Sequence, residues 1–240
     1  SGSSGHPFVF AKDKDAHALS WVSFRHRYNW YHLDLDTSKQ ARFYGIPLNK
    51  IGYRKERLKD KLGNRYRFPI FDLCEHKLAD MVKKFSKTPF DYINGYTSSI
   101  VLLAKYLKKH QLILTDICPT LKACIVTSEM LFPEDLQLME EQFNVPIINE
   151  YGASEVGLIA FQNKENQLEV DSELLFVEIL DDKDKPVPHG VVGRIVITSF
   201  YNKAHPFIRY DIGDMGSLSP LSTLKKHILE NLQGRTSDMA

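Results

Sequence analysis

The chain has 240 residues, 43% of them hydrophobic, 25% charged and 11% aromatic. At about 150 residues per domain one large domain or two small ones fit, and this composition excludes a disordered chain, a collagen-like chain and a disulfide-dense miniprotein. Lys and Arg number 31 against 30 Asp and Glu, so no bulk charge draws the chain toward nucleic acid or an anionic membrane.

The N-terminus reads Ser1-Gly2-Ser3-Ser4-Gly5-His6-Pro7. Two readings compete: the Gly/Ser scar of an expression tag, and a phosphate-cradling loop in which small residues let backbone N–H groups turn inward. These residues alone leave the choice open, because neither a Walker GKS/T ending nor a GxGxxG pattern is present. A phosphate loop normally follows a strand and nothing precedes Ser1, so the expectation is a fragment of a longer protein. No basic n-region leads into an apolar stretch, and no apolar run reaches the roughly 18 residues of a membrane span.

Lys14 to Tyr31 carries Ala18, Trp21, Val22, Phe24 and Tyr28 at helical spacing, expected to face a core. Lys50 to Arg67 holds eight Lys and Arg and reads as a solvated loop or helix face. Glu75 to Ser86 is an amphipathic helix through Leu78, Met81, Val82 and Phe85, ended by Pro89. Tyr92 to Tyr96 is a short strand and turn. Ser98 to Lys109 is a helix with Ser98 or Ser99 available as its cap. Leu121 to Thr127 is a buried strand, Pro133 to Phe143 a helix with Pro133 in its first turn, and Val145 to Asn149 another strand. This alternation from about Asn94 to Glu150 argues for a parallel α/β sheet.

Beyond Val156 the pattern changes. Leu158 to Phe161, Leu168 to Val170, Leu174 to Leu180 and Gly193 to Ser199 are strand-like, with a turn cluster at Asp181 to Pro186. Ser222 to Leu232 fits a strand or a short helix equally. The expected division is an α/β subdomain over 1–156, a β-rich subdomain over 157–232 and a hinge over 233–240. Cys74, Cys118 and Cys124 cannot form a complete set of pairs, so reduced thiols and a cytoplasmic location are expected. Cys74 and His76 have no CxxC nearby to complete a metal site.

Two stretches carry candidate chemistry. Asn149-Glu150-Tyr151-Gly152-Ala153-Ser154-Glu155-Val156-Gly157 follows a buried strand, where an open α/β sheet places ligands. A Tyr there can stack on a base, the small residues allow close approach, and Glu155 can hold a divalent cation bridging phosphates. Arg209-Tyr210-Asp211-Ile212-Gly213-Asp214 sets three charges around one Gly, and a carboxylate such as Asp214 can accept from both ribose hydroxyls. Arg235 in the Gly234-Arg235 turn suits a phosphate or ribose oxygen.

In this order the Ser/Gly loop, YGASE, RYDIGD and GRTSD resemble the adenylate-forming enzymes, the acyl-CoA synthetase superfamily. Gly95-Tyr96-Thr97-Ser98-Ser99, Thr127-Ser128-Glu129, Asn149-Glu150-Tyr151-Gly152 and His205-Pro206-Phe207-Ile208-Arg209-Tyr210 resemble one branch, the phenylacetate-CoA ligase family, which includes capsular polysaccharide biosynthesis proteins. The resemblance spans nearly the whole chain. It implies that the chain is part of the large N-terminal α/β domain, and that the Ser/Gly loop is native. It also implies ATP, Mg²⁺ and coenzyme A as reactants or cofactors and a small-molecule carboxylic acid as substrate. By it, Ser1, Gly2, Ser3, Ser4 and Gly5 wrap the β- and γ-phosphates, and Tyr151 with Gly152 lies near adenine. Glu155 binds Mg²⁺, Asp214 holds the ribose, Arg235 contacts the ribose or α-phosphate, and Asp238 is the hinge. Tyr96, Thr97 and Ser128 line the acid side. His6 departs from the family, where Thr or another small residue is usual, and the family's C-terminal lysine has no counterpart here.

Two rivals come from other classes. Gly152 to Gly157 is GxSxxG, one residue longer than the hydrolase elbow GxSxG, and Ser154, Asp214 and His227 follow the order nucleophile, acid, base. The other rival is a fragment that binds nucleotide or a partner without turnover.

Overall fold

The structure is a computed structural model, and it describes residues 8–45, 50–223 and 225–234. The chain divides into two compact units, one of residues 28–149 and one that joins residues 8–27 to 150–234.

The first unit is helix-flanked. Its strands β1 (Gln40–Phe43), β2 (Arg65–Arg67), β3 (Tyr92–Tyr96) and β4 (Ala123–Thr127) are all parallel, in the order β2-β1-β3-β4. The register aligns Ala41 with Ile93 and Ile93 with Cys124. Successive side chains alternate between faces, so Ala41, Phe43, Ile93, Cys124 and Val126 point to one side. There they pack with Leu78, Met81 and Phe85 of α3 (Glu75–Phe85), Ile100, Leu103 and Leu107 of α4 (Thr97–Lys109), and Met139 and Phe143 of α6 (Pro133–Phe143). α2 (Lys50–Leu62) lies against β2, and a short α5 (Leu114–Ile117) leads into β4. Gly95 is needed for this packing, because a Cβ there would overlap the backbone of Phe43 on β1.

The second unit is an antiparallel sheet of β5 (Ile147–Ala153), β6 (Gly157–Gln162), β7 (Leu168–Val170), β8 (Leu175–Leu180), β9 (Gly193–Ser199), β10 (Tyr210–Leu218) and β11 (Ile228–Gln233). Their order is β5-β6-β7-β11-β10-β9-β8. Ile159, Val170, Val177, Ile179, Ile195, Ile197 and Phe207 form its core. Of Ser222 to Leu232, which fitted a strand or a helix, the part from Ile228 on is the strand β11. A parallel α/β sheet followed by a β-rich part is therefore the observed class.

Three local expectations need correction. Helix α1 (Lys14–Asn29) forms, but Ala18, Trp21 and Val22 do not face a core: Trp21 is 47% and Val22 61% exposed. Its buried residues are Ala16, Ser23, Arg27 and Tyr28, the last as expected. Ser23 Oγ donates to Asp171 and Arg27 Nη1 pairs with Glu169 Oε1 at 2.9 Å, so polar docking outcompetes the apolar stripe. Lys50 to Arg67 is not wholly solvated, because Asp60 is buried and holds Arg67 through Nε–Oδ2 at 2.9 Å and Nη2–Oδ1 at 3.2 Å. Helix α4 takes no cap from Ser98 or Ser99. It begins at Thr97, and Glu129 supplies the acceptor from the loop after β4, its Oε2 receiving the Ser98 N–H at 2.6 Å. A carboxylate beside free helix N–H groups also complements the helix dipole.

Candidate functional site

In the β-rich unit the two charged motifs meet. Tyr151 stands on β5, and the β5–β6 register shifts between Tyr151 and Gly152. The shift brings the strands close: a Cβ on Gly152 would lie 2.7 Å from the Gly157 carbonyl oxygen. Glu155 sits in the turn joining β5 to β6 and is buried. Asp214 stands on β10, whose pairing with β9 shifts between Asp211 and Met215. Gly213, at φ +83°, supplies a left-handed conformation inside that irregularity. Across the sheet, Tyr151 Oη donates to Asp214 Oδ2 at 2.7 Å, and Tyr210 Oη lies 3.5 Å from Glu155 Oε1. Residues 63 and 55 positions apart in the chain are thereby joined by hydroxyl–carboxylate contacts.

The other charges of RYDIGD lie elsewhere. Asp211 Oδ2 pairs with Arg194 at 2.7 Å, and its Oδ1 accepts the Gly213 N–H at 2.8 Å. Arg209 pairs with Glu178 at 3.2 Å. These bonds hold the turn that aims Asp214, so of the three charges only Asp214 joins the Tyr151 cluster.

Tyr210, which sequence reasoning passed over, belongs to an aromatic cluster. Its ring lies 4.9 Å from Phe207 and stacks with Phe8 at 6.1 Å, and Phe8 meets His205 edge-on at 5.9 Å. The segment directly after the Ser/Gly loop is thus packed against the strand that carries Tyr210. The run HPFIRY held that signal in His205, Phe207 and Tyr210.

In the helix-flanked unit, Tyr96 ends β3 and Thr97 opens α4. Thr97 is buried, and its Oγ1 donates to the Glu129 carbonyl at 3.3 Å. Ser128, exposed and at φ 69°, makes the turn that presents Glu129. Tyr96, Thr97 and Ser128 therefore gather at the carboxyl ends of β3 and β4, where parallel sheets bind ligands. Ser1, Gly2, Ser3, Ser4, Gly5, Arg235 and Asp238 lie outside the described residues.

No group of three or more His, Cys, Asp or Glu side chains converges among the described residues. Glu155 is a single carboxylate, a donor set that suits Mg²⁺ held jointly with substrate phosphates and water rather than in an all-protein cage. Cys74 Sγ and His76 Nδ1 are 4.0 Å apart with no third ligand. The hydrolase order is not assembled: neither Ser154 nor His227 is hydrogen-bonded to Asp214, which is engaged by Tyr151, and His227 instead lines a groove with His189. No helix among the described residues is long and apolar enough to cross a membrane.

No family model matches the chain. It is 27% identical over 221 residues to protein CapK of Staphylococcus aureus, covering 86% of this chain and 47% of that protein. A 2-hydroxyisobutyryl-CoA ligase, solved in an open conformation with 2-HIB-AMP and CoA, superposes with a TM-score of 0.72 at 15% identity, over 97% of this chain and 56% of the ligase. The amide bond synthetase McbA from Marinactinospora thermotolerans gives a TM-score of 0.65 at 16% identity, over 98% of this chain and 47% of McbA. The chain thus spans about half the length of the proteins it matches. Its structural neighbours are acyl-CoA ligases and other adenylate-forming enzymes, and its fold is that of their large domain.

Proposed function

We propose that this chain is the ATP-binding part of an adenylate-forming acid–thiol ligase that converts a carboxylic acid to its acyl-AMP and then to a coenzyme A thioester. The observation that carries the reading is the Tyr151–Asp214 hydrogen bond at 2.7 Å, which joins YGASE to RYDIGD. The fold shared with the CoA ligase supports it. The likeness to CapK supports the capsular branch of the phenylacetate-CoA ligase family.

In this reading the acid's carboxylate oxygen attacks the α-phosphorus of ATP. The bond from that phosphorus to the bridging oxygen breaks, and pyrophosphate departs with the electron pair. The thiolate of coenzyme A then attacks the acyl carbonyl and AMP leaves. The substrates supply both nucleophiles, so the protein's work is positioning and charge stabilisation. Tyr151 offers a flat ring to adenine while its hydroxyl fixes Asp214. The Asp214 carboxylate accepts from the ribose hydroxyls. Ser1 to Gly5 donate to the β- and γ-phosphates, and Arg235 to the ribose or α-phosphate. Glu155 holds Mg²⁺, which when bound neutralises phosphate charge. Asp238 is the pivot for a following domain. Tyr96, Thr97 and Ser128 line the acid side.

The test is calorimetric titration of Mg-ATP into this chain and into Asp214→Ala. Saturable binding that weakens by about 10-fold or more in the variant is expected, the loss of charge-assisted hydrogen bonds. A folded chain that binds no Mg-ATP, or a variant that binds it equally well, overturns the reading.

A further inference from the structure

The parallel sheet of the helix-flanked unit has one apolar face and a second face that carries polar and charged side chains on β1, β2 and β3. On that second face the register aligns Arg42 of β1 with Arg67 of β2 on one side and Asn94 of β3 on the other. One pair earlier Gln40 aligns with Arg65, and its Nε2 donates to Asn94 Oδ1 at 3.1 Å. Gln40 and Asn94 are buried and satisfied by this bond and by the Ile125 carbonyl.

The three arginines are not equally satisfied. Arg67 holds Asp60 through two nitrogens and reaches Glu56 at 3.2 Å. Arg65 Nε lies 3.5 Å from Asp60 Oδ1 without a hydrogen bond, and its Nη2 donates to the Lys59 carbonyl at 3.5 Å. The Arg42 guanidinium makes no hydrogen bond and no ion pair among the described residues, and its Nε is buried. It lies over the Tyr44 ring, 4.5 Å from the centroid. Residues 46–54 contain no Asp or Glu, so that stretch of chain brings no counter-charge. Burial, with a smaller push from the neighbouring Arg65 and Arg67, holds the Arg42 guanidinium below its ordinary value against the opposing pull of Tyr44 and Asp60. A half-buried cation beside two others, without a hydrogen-bond acceptor among the described residues, carries a desolvation cost that the Tyr44 ring and the Asp60 charge offset only in part. A planar guanidinium fork is also the geometry that receives a carboxylate or phosphate through two bonds.

The position gives the anion a context. The Tyr44 ring that carries Arg42 lies 4.9 Å from the Tyr96 ring, at the carboxyl end of β3. A chain of contacts therefore runs from Tyr96 through Tyr44 to Arg42. We propose that Arg42 is a binding residue for an oxyanion, and that this oxyanion is a second anionic group on the acid whose carboxylate is activated. The substrate class is then a dicarboxylic acid or a phosphorylated acid. Its assignment to the activated acid rests on the adenylation reading above, whereas the oxyanion site does not.

The test needs no nucleotide. This chain, Arg42→Lys and Arg42→Gln are titrated at low salt with glutarate, phenyl phosphate and butyrate, and their unfolding is followed by heat. Saturable binding of one dianion is expected, about 10-fold or more tighter than butyrate. It weakens in Arg42→Lys and is lost in Arg42→Gln, whose melting temperature without anion stays close to that of the wild type, because the guanidinium gives up no hydrogen bond or ion pair and only its contact with the Tyr44 ring. Tighter glutarate identifies a dicarboxylic acid, and tighter phenyl phosphate a phosphorylated one. Equal affinity in Arg42→Gln, or absence of saturable anion binding by the folded wild type, overturns the site. Mg-ATP binding, read separately, distinguishes the two failures. Dianion binding through Arg42 without ATP binding leaves the site standing and removes its assignment to an adenylated acid.

Discussion

Asn202 and Asp13 hold each other across 189 residues of chain: the Asp13 N–H donates to Asn202 Oδ1 at 3.2 Å. Asn202 Nδ2 donates in turn to the carbonyls of Ala11 and His205 at 2.9 and 3.0 Å. The Asp13 carboxylate accepts from the Ala16 and Lys203 N–H groups, which caps α1 and pins the neighbouring loop. Because Asn202 is buried, Asn202→Ala leaves these backbone groups without partners that water does not readily replace. The expected cost is about 1–3 kcal/mol. Hydrogen exchange should show faster exchange across residues 8–16, the segment that follows the Ser/Gly loop, and unchanged exchange there would remove the role.

The Tyr151–Asp214 bond predicts a graded pair of variants. Tyr151→Phe keeps the ring and removes the hydroxyl, so Mg-ATP affinity should fall by the value of one hydrogen bond, about 0.5–1.5 kcal/mol. Asp214→Ala removes the acceptor for the ribose as well, and its loss should be the larger. Calorimetry on both decides, and a Tyr151→Phe loss equal to that of Asp214→Ala would mean the carboxylate serves only to hold Tyr151.

Much of this was legible beforehand. Strands at Leu168 to Val170 and Gly193 to Ser199 and the helix at Pro133 to Phe143 appear as read, because alternation and helical spacing are local properties. The meeting of YGASE with RYDIGD could be anticipated only through the order of the motifs. Gln40 to Phe43 and Arg65 to Arg67 escaped notice because each strand is short and carries charges that alternation treats as surface. Arg42 becomes informative only once the register sets it beside Arg67. Helix α1 misled for a related reason: its docking face is Ser23 and Arg27, and the partners that make them buried lie more than 140 residues away.

Asp171 gives that helix a pH signature. Burial holds its carboxyl above the usual aspartate value, against the opposing pull of Ser23 and Arg27. A carboxyl whose folded value is raised contributes stability while protonated. That contribution is present below the ordinary value of 3.8 and is lost as pH rises through the raised one. Asp171→Asn should remove this dependence, flattening the melting temperature over the mildly acidic range relative to the wild type. A variant with the wild-type pH profile would show that the group does not titrate across folding.

The three cysteines should separate cleanly by reactivity. Cys118 and Cys124 are buried, and burial pushes the Cys124 thiol up, away from thiolate. Cys74 is exposed just ahead of α3, where the Lys77 backbone N–H and the His76 side chain hold its thiol below the ordinary value. His76 is itself held up by the Cys74 contact and by Asp80, whose Oδ2 is 3.4 Å from Nε2. A lower thiol value means more thiolate at neutral pH, and the thiolate is the species that reacts. Ellman's reagent should therefore titrate one of the three thiols in the native chain and the other two only after unfolding. His76→Ala should slow that first thiol at pH 7 and leave its rate at alkaline pH nearly unchanged, because there the thiolate forms without help. A second thiol reacting at native pH on the same timescale would mean that the strand carrying Cys124 or the turn carrying Cys118 opens locally, and hydrogen exchange at Ile125 would locate that opening.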